Sequence, residues 1–203
     1  MPPLSGWTLW ITGFVDKAPA LDHVMGFLAN DFIVPVAIAL ILLGLWVGHR
    51  DLGRREQIQK AIMNASVAIG ISTLVVRILN MSDFWPRPFL VDDFVIRESA
   101  RYAAQTVFYL PRDPSFPSNA ATISFAAATG VWFSHRKAGA VLYFLAFLWV
   151  FARFYAGIHF AIDLAGGAMI GVVTSIMISK VFMPRTEPLP TLALKVGRFL
   201  YIA

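Results

Sequence analysis

Ala152-Arg153-Phe154-Tyr155-Ala156-Gly157-Ile158-His159-Phe160-Ala161-Ile162-Asp163 joins two long apolar runs, Ala138–Ala152 and Ile162–Phe182. Both runs read as membrane-spanning helices, so this stretch is the hairpin between them. It nevertheless holds a guanidinium, an imidazole and a carboxylate between Arg153 and Asp163. Ionisable groups at membrane depth are costly and mark functional sites. Arginine offers a forked set of donors to phosphoryl oxygens. A histidine four residues before an aspartate on one helical face is held by the carboxylate in one tautomer. The combination points to phosphoryl chemistry at a membrane surface; the alternative is a polar hairpin at the interface.

Composition agrees with the membrane setting. The 203 residues are 58% hydrophobic and only 14% charged, with a mean hydropathy of +0.67, too apolar for a soluble globular domain. A net charge of +5 raises the question of nucleic acid, but no basic run is interleaved with aromatics. Basic loops on one side of a bilayer explain it instead. The absence of cysteine excludes disulfides, thiolate catalysis and Cys-ligated metals. No basic segment followed by an apolar core and cleavage site suggests a signal peptide.

Working outward, residues 1–29 hold Trp7 and Trp10 in a short apolar patch and read as an interfacial segment too short to span. Asp31 is the expected cap of a first span over Phe32–Gly48, with Pro35 in its first turn. A basic loop, His49–Lys60, leads to a second span over Ala61–Leu79. Asn64 and Ser66 in it read as helix-packing contacts. A polar section follows from Met81 to Phe116, with a short interfacial helix over Ser99–Leu110 that prolines break. The third span runs Ser118–Phe133 and is rich in small residues. The fourth and fifth are the apolar runs flanking the opening stretch, and Gly166, Gly167 and Gly171 in the fifth make a close-approach face. Residues 184–203 form a basic tail, and no internal repeat is evident.

Charge sets the orientation. Arg50, Arg54, Arg55, Lys60, Arg136, Lys137, Lys180, Arg185, Lys195 and Arg198 all fall on one side of this arrangement, which the positive-inside rule makes cytoplasmic. The 81–117 section and the 152–163 hairpin then lie together on the extracytoplasmic side.

These segments resemble the type-2 phosphatidic acid phosphatases, the membrane branch of the haloperoxidase-like acid phosphatases. That family carries Lys, six residues, Arg-Pro; then Pro-Ser-Gly-His; then Ser-Arg, five residues, His, three residues, Asp. Here Asn80 precedes Arg87-Pro88, Pro117-Ser118-Asn119-Ala120 stands for the second part, and Ala152-Arg153, His159 and Asp163 form the third. The resemblance covers roughly residues 20–183 and is greatest to the small bacterial members acting on undecaprenyl pyrophosphate. It implies His159 as nucleophile, Asp163 as its orienting partner, and Arg87, Arg153, Ser118 and Asn119 as holders of the phosphate. No cofactor or metal is implied. Apart from the family, a helix opening at Ser118 is an anion site on physical grounds.

Ala152 stands where the family has the leading Ser, and two further departures bear on the chemistry. Asn80 replaces the Lys, and Arg77 one turn earlier is either its substitute or a snorkelling span-end arginine. Ala120 replaces the second His, the general acid. Either the chain is a weakened or repurposed variant, or the alanine is a His→Ala change that traps substrate. The expectation is a single all-α polytopic bundle over 1–203, with five to six transmembrane helices plus interfacial helices, in the inner membrane. Its partners would be a lipid phosphate or polyprenyl pyrophosphate and the surrounding lipids, with no nucleic acid. Lipid phosphotransfer and non-catalytic lipid-phosphate binding remain alternatives. Phe84, Trp85, Phe89, Phe94, Phe154, Tyr155 and Phe160 are read either as lining for a lipid chain or as an interfacial aromatic belt.

Overall fold

The computed structural model describes residues 5–82 and 84–200, and all regular structure among them is helical. In chain order the helices are α1 (Ser5–Thr12), α2 (Pro19–Ala29), α3 (Ile33–Val47), α4 (Leu52–Asn80), α5 (Phe94–Val107), α6 (Asn119–Trp132), α7 (Arg136–Tyr155) and α8 (Ala161–Met177). The last runs through a π-helical turn, Ile178–Phe182, into α9 (Met183–Arg185), and α10 (Leu189–Phe199) follows. A 3₁₀ turn, Pro88–Leu90, lies between α4 and α5.

Local capping fixes several boundaries. Asp51 accepts the Arg54 amide at 2.7 Å, so α4 starts well before the expected Ala61 and absorbs most of the basic loop. Its 29 residues extend about 43 Å, so its basic first turns project beyond a hydrocarbon core of about 30 Å. Asp93 accepts the Ile96 amide at 2.9 Å, which starts α5 at Phe94 instead of Ser99. Each such cap is worth about 1 kcal/mol.

Among the described residues, three helices are long and apolar enough to cross a membrane: α4, α7, and α8 with its continuation to Arg185. The pair α2–α3 passes the same test only together, across a 54° bend, giving up to four. The expected five to six are therefore not reproduced by length and composition. The expected third span, α6, has 14 residues, about 21 Å. It is the central helix, with Ala120, Ala121, Thr122, Ser124, Ala126, Ala127, Ala128, Thr129, Gly130 and Val131 all buried. Its small side chains serve helix packing instead of lipid contact.

Nor is α3 capped by Asp31: Asn30 takes the Phe32 amide at 2.8 Å, and Asp31 has other partners. In α1 the side chains of Trp7 and Trp10 are 60% and 65% exposed. The tail docks on the far end of α4 through Arg198–Glu56 and Lys60–Glu187 ion pairs.

The small-residue face of α8 works as expected. A Cβ on Gly167 would strike the Ser118 carbonyl oxygen, and Thr122 Oγ1 donates to the Gly167 carbonyl at 3.0 Å. This contact brings the start of α6 against the start of α8. Gly157 turns the chain out of α7 with φ of +66°, in space bounded by Thr12 and Ala100, where an L side chain is strained.

Gly167→Ala should destabilise the fold by about 1–3 kcal/mol through overpacking. Gly70→Ala, where nothing lies within 4 Å of the added Cβ, should be neutral or better. Thermal unfolding of the detergent-solubilised pair checks this; equal midpoints would refute the close approach.

Candidate functional site

Three separated segments converge where α8 begins. The Asp163 carboxylate is fully buried, and a buried charge needs donors. Ser115 Oγ donates to Oδ2 at 2.5 Å, the Phe160 amide to Oδ2 at 2.8 Å, and the Trp85 indole N–H to Oδ1 at 2.9 Å. The Ser118 amide also donates to the Asp163 backbone carbonyl at 3.0 Å. Placement in the first turn of α8 adds the favourable end of the helix dipole.

His159 stands just outside that helix, before its cap residue Phe160. The expected helical i,i+4 face is therefore not what joins it to Asp163; the bond from Asp163 back to the Phe160 amide is. His159 Nδ1 lies 3.0 Å from the Ser115 carbonyl oxygen and 3.6 Å from Asp163 Oδ2. A carbonyl only accepts, so Nδ1 carries the proton and Nε2 keeps its lone pair. Nε2 faces Arg87 Nη1 and Ser118 Oγ, each at 3.5 Å. The residue is 3% exposed.

Each arginine brings a carboxylate. Arg87 donates through Nε to the Asp113 carbonyl at 2.7 Å and through Nη1 to the Ile158 carbonyl at 2.6 Å. Its Nη2 meets the Asp113 carboxylate at 3.0 Å. Arg153 pairs with Asp31 and lies over the Phe108 and Trp149 rings, 5.3 and 5.2 Å from their centroids. Its Nε is buried without an acceptor.

The start of α6 completes the cluster. Ser118 is its N-cap and accepts the Ala121 amide at 3.5 Å, while the amides of Asn119 and Ala120 belong to the first turn, which lacks intrahelical acceptors. Ala120 is buried in the apolar cluster that includes Val34, Ala65 and Trp149. Arg77, Asn80, Asn119 and Asp113 line an adjoining cavity of about 110 Å³, in which Asn80 Oδ1 is buried without a partner. The structure thus brings His159, Asp163, Arg87 and Ser118 into contact, with Arg77 and Asn80 beside Asp113.

Sequence reasoning missed Ser115, which holds His159 and Asp163 at once, and the carboxylates Asp31 and Asp113. Trp85, read as a possible chain lining, is a donor to Asp163. Phe89, Tyr155 and Phe160, grouped with it, are 3%, 2% and 0% exposed and belong to the protein core. Phe84 and Phe94, at 50% and 67%, remain on the surface. The adjacency of Trp85 to Pro86-Arg87-Pro88 was the only local signal.

Burial, with the Arg87 charge second, pushes the His159 pKa from 6.5 down to about 4 against the opposing Asp163 carboxylate. A depressed pKa keeps the imidazole neutral at neutral pH. Histidine-selective NMR should show one ring titrating near pH 4, absent in His159→Ala; a midpoint near 6.5 would contradict the enclosed geometry.

The comparisons bear on this constellation. The B. subtilis (strain 168) undecaprenyl-diphosphatase BcrC is 29% identical over 164 residues, 80% of this chain and 76% of that protein. The putative undecaprenyl-diphosphatase YbjG of E. coli (strain K12) is 28% identical over 161 residues, 78% of this chain and 72% of the relative. Among solved structures, Aquifex aeolicus LpxE aligns with a TM-score of 0.57 and 25% identity, covering 89% of this chain and 96% of that one. The transmembrane PAP2-type phosphatidylglycerolphosphate phosphatase of Bacillus subtilis aligns at 0.54 and 17%, covering 93% and 90%, and shares the fold. Residues 61–187, which include every segment of the cluster except Asp31, match the PAP2 superfamily, and the chain is an integral membrane member of that family.

Proposed function

We propose that this protein hydrolyses a polyprenyl diphosphate, or a related lipid phosphate, through a phosphohistidine at the extracytoplasmic face of the cell membrane. The observation that carries the reading is the enclosed His159, with Nδ1–H tied to the Ser115 carbonyl and Nε2 facing Arg87 and Ser118. Nε2 would attack phosphorus in line, and the bond to the leaving oxygen breaks as the N–P bond forms. Asp163, 3.6 Å from Nδ1, offsets the positive charge then placed on the ring. Arg87, Arg153, Ser118 Oγ and the first amides of α6 would hold the phosphoryl oxygens. Water then attacks the phosphohistidine, returning Nε2 and releasing inorganic phosphate.

Ala120 has no proton to give to the leaving group. A diphosphate suits this gap, because the departing lipid phosphate is a stabilised anion with a second pKa of about 6. The names of BcrC and YbjG support the same substrate class. The basic residues gathered at the opposite end of the bundle support the sidedness. We favour an altered His at position 120, since every other anion-binding element except Asn80 keeps its type.

Phosphate release from undecaprenyl diphosphate should be abolished by His159→Ala, together with any acid-labile phosphoprotein. Ala120→His should raise the rate on the order of 10²–10⁴-fold, the usual contribution of a positioned acid. No gain would overturn the role assigned to that position. Ala120 and Asn80 favour a second reading, a non-catalytic lipid-phosphate binder. It would show phosphate-lipid binding with no turnover and no phosphoprotein in any variant.

A further inference from the structure

Asp31 lies outside the residues that match the family, at the break between α2 and α3. The two helices meet there at 54°. Around the break, Trp149 Nε1 donates to the Ala29 carbonyl at 3.4 Å and Asn30 takes the Phe32 amide at 2.8 Å. Neither bond uses Asp31. Its carboxylate instead pairs with Arg153 through Oδ1 and accepts the Tyr109 phenol on Oδ2 at 2.7 Å.

The pair is asymmetric. The Arg153 side chain is 8% exposed and that of Asp31 is 41% exposed. Arg153 lies over the Trp149 and Phe108 rings and needs an anion where it stands, because a buried cation without a partner is strongly unfavourable. Asp31 reaches water and keeps Tyr109 as a partner, so its release costs little. The buried, unpartnered Nε of Arg153 shows that one carboxylate does not satisfy this guanidinium, which presents five N–H donors.

We propose that Asp31 is a resident counter-anion on Arg153, which an incoming phosphoryl group must displace, so that the α2–α3 elbow sets how tightly the site holds phosphate. This rests on the phosphoryl-binding reading of Arg153. A tetrahedral oxyanion offers several acceptors and a greater charge than one carboxylate, and it answers the Nε that Asp31 leaves open. As substrate binds, Asp31 swings toward water while still bonded to Tyr109. As phosphate departs, Asp31 returns and prevents Arg153 from retaining the product. Asp31 is thus a positioning residue that tunes affinity through Arg153.

The test is calorimetric binding of inorganic phosphate to the full chain in detergent. Asp31→Asn keeps the shape and removes the charge, and should tighten binding about tenfold, while Asp31→Glu should stay near the unaltered chain. In the phosphatase assay, Asp31→Asn should lower the inhibition constant of phosphate and slow turnover at saturation, a split that a purely structural role would not produce. If Asp31→Asn does not fold, hydrogen exchange on the unaltered chain decides, and saturating phosphate should raise exchange across residues 29–33. Equal or weaker phosphate binding by a folded Asp31→Asn, or unchanged or slower exchange at the elbow, overturns the inference and leaves the phosphatase reading intact. Failure of the unaltered chain and every variant to bind phosphate overturns both.

Discussion

The hydrogen bonds into the Asp163 carboxylate hold the site end of this bundle together. An ionised carboxylate in an apolar interior is tolerated only with donors on its oxygens. Those donors come from the loop after α4, the loop before α6 and the cap residue of α8. One side chain therefore pins three stretches of chain that are distant in sequence. The bond from the Ser118 amide to the Asp163 carbonyl and the approach permitted by Gly167 then set α6 against α8. With those fixed, the Ser115 carbonyl and the Ser118 hydroxyl fall on opposite edges of the His159 ring.

The second constraint is charge balance. Arg87 and Arg153 are 2% and 7% exposed, and neither is left without an acid. Asp113 serves the first and Asp31 the second, and both acids are far more exposed than the arginines they serve. Burial falls on the cations and exposure on the anions, so the positive charge is enclosed while its acidic partner reaches water. Enclosed cations whose acids reach water suit the anionic substrate proposed above.

Much of this was legible in the sequence, and the reason is locality. The helix opening at Ser118 and the glycine face of α8 depend on near neighbours and appear where expected, whereas His159 stands outside the helix on which its spacing to Asp163 placed it. Caps were less legible: Asp51 and Asp93 start their helices earlier than hydrophobicity suggests, because an amphipathic or basic first turn carries no apolar signal. Asp31 read as a cap, yet its partner Arg153 is 122 positions away, and no local pattern announces such a pair. Ser115 was hidden for the same reason, since both its hydroxyl and its carbonyl act across more than 40 positions. The burial of the short α6 was not legible, because its small residues are apolar enough to suggest lipid contact while serving close packing.

That shortness has a consequence for depth. The loop from Trp132 to the basic start of α7 ties the C-terminal end of α6 to one polar boundary of the bilayer. At about 21 Å, α6 then ends roughly 9 Å short of the other side of a hydrocarbon slab about 30 Å thick. On the phosphatase reading proposed above, Ser118 and the imidazole it faces would then stand below the plane of the surrounding headgroups. A lipid substrate of the proposed kind would have to sink its phosphate below that plane while its tail stayed among its neighbours. The inorganic phosphate released by that reaction would have to leave across the bilayer plane, and the lipid along it.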